Sequence, residues 1–262
     1  MIRALYTAAT GMNAQETNID VISNNLANVN TTGFKKSRAD FQDLVYQYLV
    51  EPGAATSGTS MNPSGIQIGL GVKTAAVQKV FAQGDLTSTG NQFDVAIEGD
   101  GFFQVQLPDG TNAFSRAGSF RMNEQGQLVT PEGYLVSPAV TIPSDVLAVT
   151  VGQDGTVAVT QPGNTTPSQV GQLTAVRFPN NAGLRAIGRN LYQETVSSGT
   201  PVTGIFGENG VGRLSQGFLE TSNVSVVEQV VNLITAQRAY EASSKGITTA
   251  DEMLNQAINL KR

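Results

Sequence analysis

The chain has 262 residues, a formal net charge of −5 and only 14% charged residues, so it lacks the basic footprint that nucleic acid requires. It contains no cysteine and no histidine, which excludes disulfides, thiol nucleophiles, imidazole bases and the commonest zinc ligands together. No stretch approaches the roughly 20 apolar residues of a membrane span. The opening MIRALYTAATGMNAQE breaks its apolar run at Thr7, Thr10, Gly11 and Asn13, so no cleaved signal peptide is expected.

The first predicted element is a helix from Ile2 to about Val29. Leu5, Met12, Ile19 and Leu26 recur at heptad spacing, with Ala8, Ile22 and Val29 on the same face and Gln15 as its one polar gap. Such a stripe is the seam of two facing helices. Asn24, Asn25, Asn28 and Asn30 crowd the helix end, where poor helix formers serve as caps and turns. The alternative is a row of amides that contact packed copies. Asn30-Thr31-Thr32-Gly33 then stops the helix, with Gly33 in a left-handed position. Lys35, Lys36 and Arg38 read as a solvated basic turn. Phe41, Leu44, Val45, Tyr48 and Leu49 at helical spacing predict a second, short amphipathic helix.

Residues 51–66, EPGAATSGTSMNPSGI, read as a flexible linker rich in Gly, Pro, Ser and Thr. From Gln67 the pattern alternates through Ile68, Leu70, Val72, Val77, Val80 and Phe81, predicting strands. Between Val95 and Leu191 the turn dipeptides Asp109-Gly110, Gln125-Gly126, Glu132-Gly133 and Asp154-Gly155 punctuate apolar alternation at hairpin intervals. A small antiparallel barrel or sandwich is expected there. The Gly-rich run 197–217 leads back to a second long helix. In it Val226, Leu233, Tyr240, Ile247 and Leu254 repeat every seven residues. Gln229, Ala236, Ser243, Ala250 and Ala257 follow at plus three, most of them small. Ser225 and Glu228 have capping-box spacing, with Ser222 as a rival cap. The order is helix, linker, β-domain, linker, helix: an α+β chain whose ends meet.

No catalytic site emerges. Asp94, Glu98 and Asp100 cluster in sequence, but strand-end solvation accounts for them better than a glycosidase pair does. Asp154 lacks the further oxygen ligands of a calcium loop, and the Gly-x-Gly at Gly99–Gly101 opens no helix, so it is no dinucleotide fingerprint. The terminal helices carry too few Lys and Arg for a membrane surface. The chain is expected not to be an enzyme, to take no cofactor or metal, and to bind no nucleic acid. A helical hairpin packed only on its own domain is the plainer reading of the ends. Fixing some sixty residues at about 1–2 kcal/mol each nevertheless asks for more neighbours than one seam.

The run SNNLANVNTTGFKK, residues 23–36, resembles the N-terminal signature of the bacterial flagellar axial proteins, the rod, hook and hook-associated family; its motif residues are Ser23, Asn24, Asn25, Leu26, Ala27, Asn28, Thr32, Gly33 and Phe34. Glu220-Thr221-Ser222-Asn223-Val224 through Gln237-Arg238-Ala239-Tyr240-Glu241 resembles the matching C-terminal signature, and GDGFFQVQLPDG, FSRAGSF and QLVTPEGY resemble the middle. Length and the stretch after Tyr46 resemble the distal rod branch more than the hook or proximal rod.

The resemblance implies a helical homopolymer that carries motor torque to the hook and forms part of the export channel. It divides the chain into a terminal helical polymerisation domain (1–33 with 222–262), a connecting region (34–92 with 203–221, including linker 51–66) and a β-rich outer domain (93–202). The coiled-coil-like seam would be Leu5, Met12, Ile19, Ile22, Leu26 and Val29 against Val226, Leu233, Tyr240, Ile247 and Leu254. Pro52, Gly53, Pro63 and Gly65 would mark a rod-type linker that packs between neighbours. Implied partners are other copies, the proximal rod, hook, P- and L-ring and cap proteins, and the type III export apparatus. The implied location is the basal body, from periplasm to outer-membrane ring. A glycan-binding surface protein with helical anchors is the rival from another class.

Overall fold

The computed structural model describes residues 2–53, 55–57, 60–61, 63–163, 166–208 and 210–259, with 55–57 and 60–61 described by their strand pairing. The chain divides into two compact units. One comprises Met1–Ala27, Ser37–Lys79 and Ser225–Arg262; the other comprises Asn28–Lys36 and Val80–Val224. These boundaries fall differently from the three parts drawn from the sequence, because the connecting region 34–92 is shared between the two units.

The first unit is built on helices α1 (Ile2–Ala27) and α2 (Val226–Asn259). They run antiparallel. The Asn25 amide donates to Gln229 Oε1 at 3.3 Å, Gly11 faces Ser243, and Gly246 faces Ala8. Small side chains contribute much of the contact. Ala14, Ala236 and Ala250 are buried along it with Ile22, and small residues let two helix backbones approach. Ser225 caps α2, its Oγ accepting from Glu228 N at 3.5 Å and its carbonyl from Gln229 N at 3.0 Å. Of the two caps the sequence offers, Ser225 rather than Ser222 starts the helix.

The rest of this unit is one long two-stranded ribbon. Strands β1 (Ser37–Asp43), β2 (Tyr46–Val50) and β3 (Ala55–Ser57) go out; β4 (Ser60–Met61), β5 (Ile66–Gly69) and β6 (Val72–Lys79) return. The pairs are nested: β1 with β6, β2 with β5, β3 with β4, all antiparallel. Leu44 N donates to Gly71 O at 2.8 Å and carries the ladder across the joint.

Two expectations are corrected here. The segment Phe41–Leu49 is strand, not helix. Its apolar run is short enough to fit either period, and its Val and Tyr residues favour a pleated ladder. The 51–66 stretch contains the outer hairpin of the ribbon rather than a plain linker; residues 54, 58, 59 and 62 lie outside the described residues. At this joint the ribbon meets α1 closely. Gly71 has φ +113°, and a Cβ there would stand 2.2 Å from Thr10 Oγ1.

The second unit holds strands β7 (Leu86–Ser88), β8 (Val95–Glu98), β9 (Phe102–Gln106), β10 (Asn112–Ser115), β11 (Arg121–Met122), β12 (Leu128–Val129), β13 (Leu135–Ser137), β14 (Ala148–Val151), β15 (Thr156–Thr160), β16 (Ser168–Gln172), β17 (Ala175–Arg177), β18 (Arg185–Gly188), β19 (Leu191–Gln193), β20 (Val202–Gly204), β21 (Arg213–Gln216) and β22 (Phe218–Glu220). Nine of them form one sheet around β9, which pairs with β10 on one edge and with β13 and β17 on the other. Its path is open at β11 and β18, and β14, β15 and β16 form a second sheet. The hairpin glycines Gly110, Gly126, Gly133 and Gly155 all have positive φ, as the turn dipeptides predict.

Successive residues of β9 point to opposite faces, so this strand serves two cores. Phe103 and Val105 enter the larger one, where Phe103 meets Phe120 edge-on at 5.0 Å. Phe102 enters a smaller one with Phe114, Phe178 and Tyr192. The chain between Val80 and Val224 contains no lysine. The two lysines of this unit, Lys35 and Lys36, both sit on the strap Asn28–Lys36.

Candidate functional site

The strap carries the second half of the N-terminal signature into the β-rich unit. Gly33 has φ +70°, and a Cβ on it would stand 2.7 Å from Ala117 N; glycine is required there twice over. Gly33 N donates to Glu220 O at 2.8 Å, and Asn190 Nδ2 to Thr32 O at 2.9 Å. Phe34 and Lys35 are buried behind it. Lys36 N donates to Asn223 Oδ1 at 2.8 Å, and Asn223 Nδ2 donates to Val80 O and Ala82 O at 2.9 and 3.0 Å.

At the centre is a buried ion cluster. Lys35 Nζ lies 2.6 Å from Glu220 Oε1, both side chains being 0% exposed, and it also donates to Ala82 O at 2.8 Å. Gly84 N donates to the same Glu220 oxygen at 2.8 Å. On the other side Arg116 Nε stands 3.1 Å from Glu220 Oε2, a charge contact without a directed hydrogen bond. Arg116 Nη1 donates to Gly99 O and Gly101 O at 2.8 and 2.7 Å. Two cations therefore share one carboxylate. Burial pulls the Lys35 pKa below its usual range, with Arg116 acting in the same direction and Glu220 opposing. Nearby Tyr192 is pushed up to about 12, first by burial and then by the Glu220 charge. The arrangement joins parts of the chain 185 residues apart in sequence.

Lys35 thus corrects the solvated-turn reading. The pair was missed because its members are 185 residues apart and no local pattern links them. The signals available were a Lys directly after the buried Phe34 and a Glu opening the C-terminal signature.

Two of the asparagines, Asn25 and Asn28, make hydrogen bonds within the chain. Asn25 is buried and exchanges two hydrogen bonds with Ser37, and Asn28 Oδ1 accepts from Thr31 Oγ1 at 3.2 Å. Ser23, Asn24 and Ala27 lie exposed at the end of α1.

Of the seam residues, Ile22 is buried; Leu5, Met12, Ile19, Leu26, Leu233, Ile247 and Leu254 are half-buried; Val226 and Tyr240 are exposed. Val29 lies past α1, on the strap. Pro52, Gly53 and Pro63 are exposed, while Gly65 is half-buried against the ribbon, where a Cβ would stand 2.5 Å from Val50 O. Asp94 is held by Thr89 and Asn91 and Asp154 by Thr156, as turn and strand-end residues are.

Three family models match: "Flagella basal body rod protein" over residues 5–35, "Flagellar hook protein FlgE/F/G D1 domain" over 96–159, and "Flagellar basal body rod FlgEFG protein C-terminal" over 215–260. The chain is 50% identical to the flagellar basal-body rod protein FlgG of Buchnera aphidicola subsp. Schizaphis graminum, over 99% of this chain and 100% of that one. It is 50% identical to FlgG of Borreliella burgdorferi over 100% of both chains, and 42% identical to FlgG of Bacillus subtilis over 100% of both. The chain belongs to the flagellar basal-body rod protein FlgG family.

In this FlgG-family chain each matched segment supplies one member of the ion cluster: Lys35 from 5–35, Arg116 from 96–159 and Glu220 from 215–260. Among solved structures, the Helicobacter pylori flagellar hook protein FlgE2 is 15% identical, covering 71% of this chain and 43% of that one at a TM-score of 0.25.

Proposed function

We propose that this chain is a structural subunit of the distal rod of the flagellar basal body, that it polymerises through α1 and α2, and that the polymer transmits torque to the hook. The observation that carries this reading is a second apolar face on α2. Val227, Val230, Val231 and Ile234, at i, i+3, i+4 and i+7, are all exposed, at 75%, 38%, 54% and 52%, on the side of the helix away from Gln229 and Ala236. One apolar stripe on a helix meets one neighbour. Here α1 takes the face lined by Ala236 and Ala250, and the other awaits a different chain. Fully burying four such side chains is worth roughly 1.5–3 kcal/mol each, enough to drive association. A head-to-tail contact that does not close gives an open helical filament.

On this reading the helices are the coiled-coil-like inner part of the polymer, and the β-rich unit, as a barrel or sandwich, is the outer part. The ribbon tip around Pro52, Gly53, Pro63 and Gly65 packs between neighbouring subunits. The proximal rod, hook, ring and cap proteins are the neighbours along the axis. The chain reaches the periplasm through the flagellar type III export apparatus, and its role is mechanical rather than enzymatic.

The test is assembly. The purified chain at high concentration is expected to form straight tubular polymers visible by electron microscopy. Val231→Asp and Leu233→Asp are expected to stay monomeric, with the near-ultraviolet signal of the β-rich unit unchanged. Normal incorporation of both variants into rods would refute the seam.

A further inference from the structure

The ion cluster joins the earliest part of the β-rich unit to its last. The strap Asn28–Lys36 precedes every strand of that unit, and β22, which carries Glu220, follows them all. Arg116 does not depend on the strap for its position, because Gly99 O and Gly101 O hold its guanidinium. Before Glu220 is in place, docking the strap would set the Lys35 ammonium near that guanidinium, out of water, with Asp100 as a weaker opposite charge and no carboxylate paired to it directly. Like charges in a dry site repel, and an uncompensated buried ion is strongly unfavourable. Once β22 pairs with β7, the carboxylate offers one oxygen to each cation, and its backbone carbonyl accepts from Gly33 N.

We infer that the Lys35–Glu220–Arg116 cluster is a conformational latch: the strap locks onto the β-rich unit only after the final strand has delivered Glu220. A purely apolar strap held by Phe34 would settle onto any collapsed form of the unit. The latch makes its docking conditional on a completed chain, so the N-terminal signature is fixed by the C-terminal one. The device lies within one subunit and does not depend on polymerisation.

The experiment uses the full chain and reads amide hydrogen exchange. In Glu220→Gln, which keeps shape and removes the anion, the amides of residues 33–36 are expected to lose protection by on the order of 100-fold or more. Val105 and Ala113 in the core are expected to keep theirs. Adding Lys35→Met to Glu220→Gln leaves one cation and is expected to restore protection of the strap. Lys35→Met alone keeps the Arg116–Glu220 pair and is expected to match the native chain; if Glu220→Gln unfolds outright, the latch requires that the double variant regain the fold. A strap that stays protected in Glu220→Gln, or one that Lys35→Met fails to rescue, would overturn the latch and leave shape alone as what holds it.

Discussion

The side-chain amide of Asn25 serves Ser37 as a strand partner would. Nδ2 donates to the Ser37 carbonyl and Oδ1 accepts from the Ser37 N–H, each at 2.8 Å, while Nδ2 also reaches Gln229 Oε1. One amide thus ties α1, the first residue of the ribbon and α2. Asn25→Ala strands all three groups and is expected to cost about 2 kcal/mol. Asn25→Asp is expected to cost more, because its carboxylate faces the Ser37 carbonyl and the Gln229 oxygen. Urea unfolding followed by helical circular dichroism checks both; native stability in either variant contradicts the bracket.

Tyr192 makes the β-rich unit sensitive to alkali. Its pKa is raised from 10.0 to about 12 in the folded chain, so the native state holds the phenolic proton more tightly than the unfolded one. The associated stability is complete below pH 10 and is lost as pH rises from there toward 12. Two pKa units correspond to about 3 kcal/mol. Tyr192→Phe is expected to flatten that part of the stability–pH curve, measured by denaturant midpoints at stepped pH. An unchanged slope would show that the phenol is not the group responsible.

Glycine at position 33 is expected to be far less replaceable than glycine at position 53. Both have positive φ, +70° and +84°, but a Cβ at Gly53 meets nothing within 4 Å, whereas one at Gly33 runs into the backbone of Arg116 and Ala117. Gly53→Ala is expected to cost about 1–2 kcal/mol from conformation alone. Gly33→Ala is expected to cost clearly more and to displace the strap. Thermal unfolding of the two variants, compared side by side, decides; equal losses would mean that the close approach relaxes freely.

The two faces of α2 are expected to respond in opposite ways. Ala236 is 3% exposed against α1, so Ala236→Leu overpacks the seam and is expected to destabilise the helix pair by about 1–3 kcal/mol. Val231 is 54% exposed, so Val231→Ser is expected to leave monomer stability within about 0.5 kcal/mol while weakening assembly. Circular dichroism and sedimentation separate the two effects. A destabilised monomer in Val231→Ser would mean that this face is already covered.

What the sequence disclosed and what it withheld follow one physical division. Both long helices, the Ser225 cap and the four hairpin glycines are local events, set by periodicity and by the φ values a turn demands, and all were legible. The heptad residues were legible too, yet the most buried positions along the helix pair are Ala14, Ile22, Ala236 and Ala250, because a stripe of large residues says that a face is buried and not by whom. The ribbon was misread at Phe41–Leu49 because short apolar runs satisfy both periods. The Lys35–Glu220 pair was invisible, since only the closed topology brings residues so far apart in sequence together.

The lysine-free body between Val80 and Val224 has a practical corollary. Amine-directed reagents would decorate the helix-and-ribbon unit and, on the strap, Lys36, while leaving residues 80–224 untouched. A dye or cross-linker of that chemistry therefore reports the helix-and-ribbon unit selectively, and mapping the β-rich unit calls for carboxylate- or guanidine-directed labels instead.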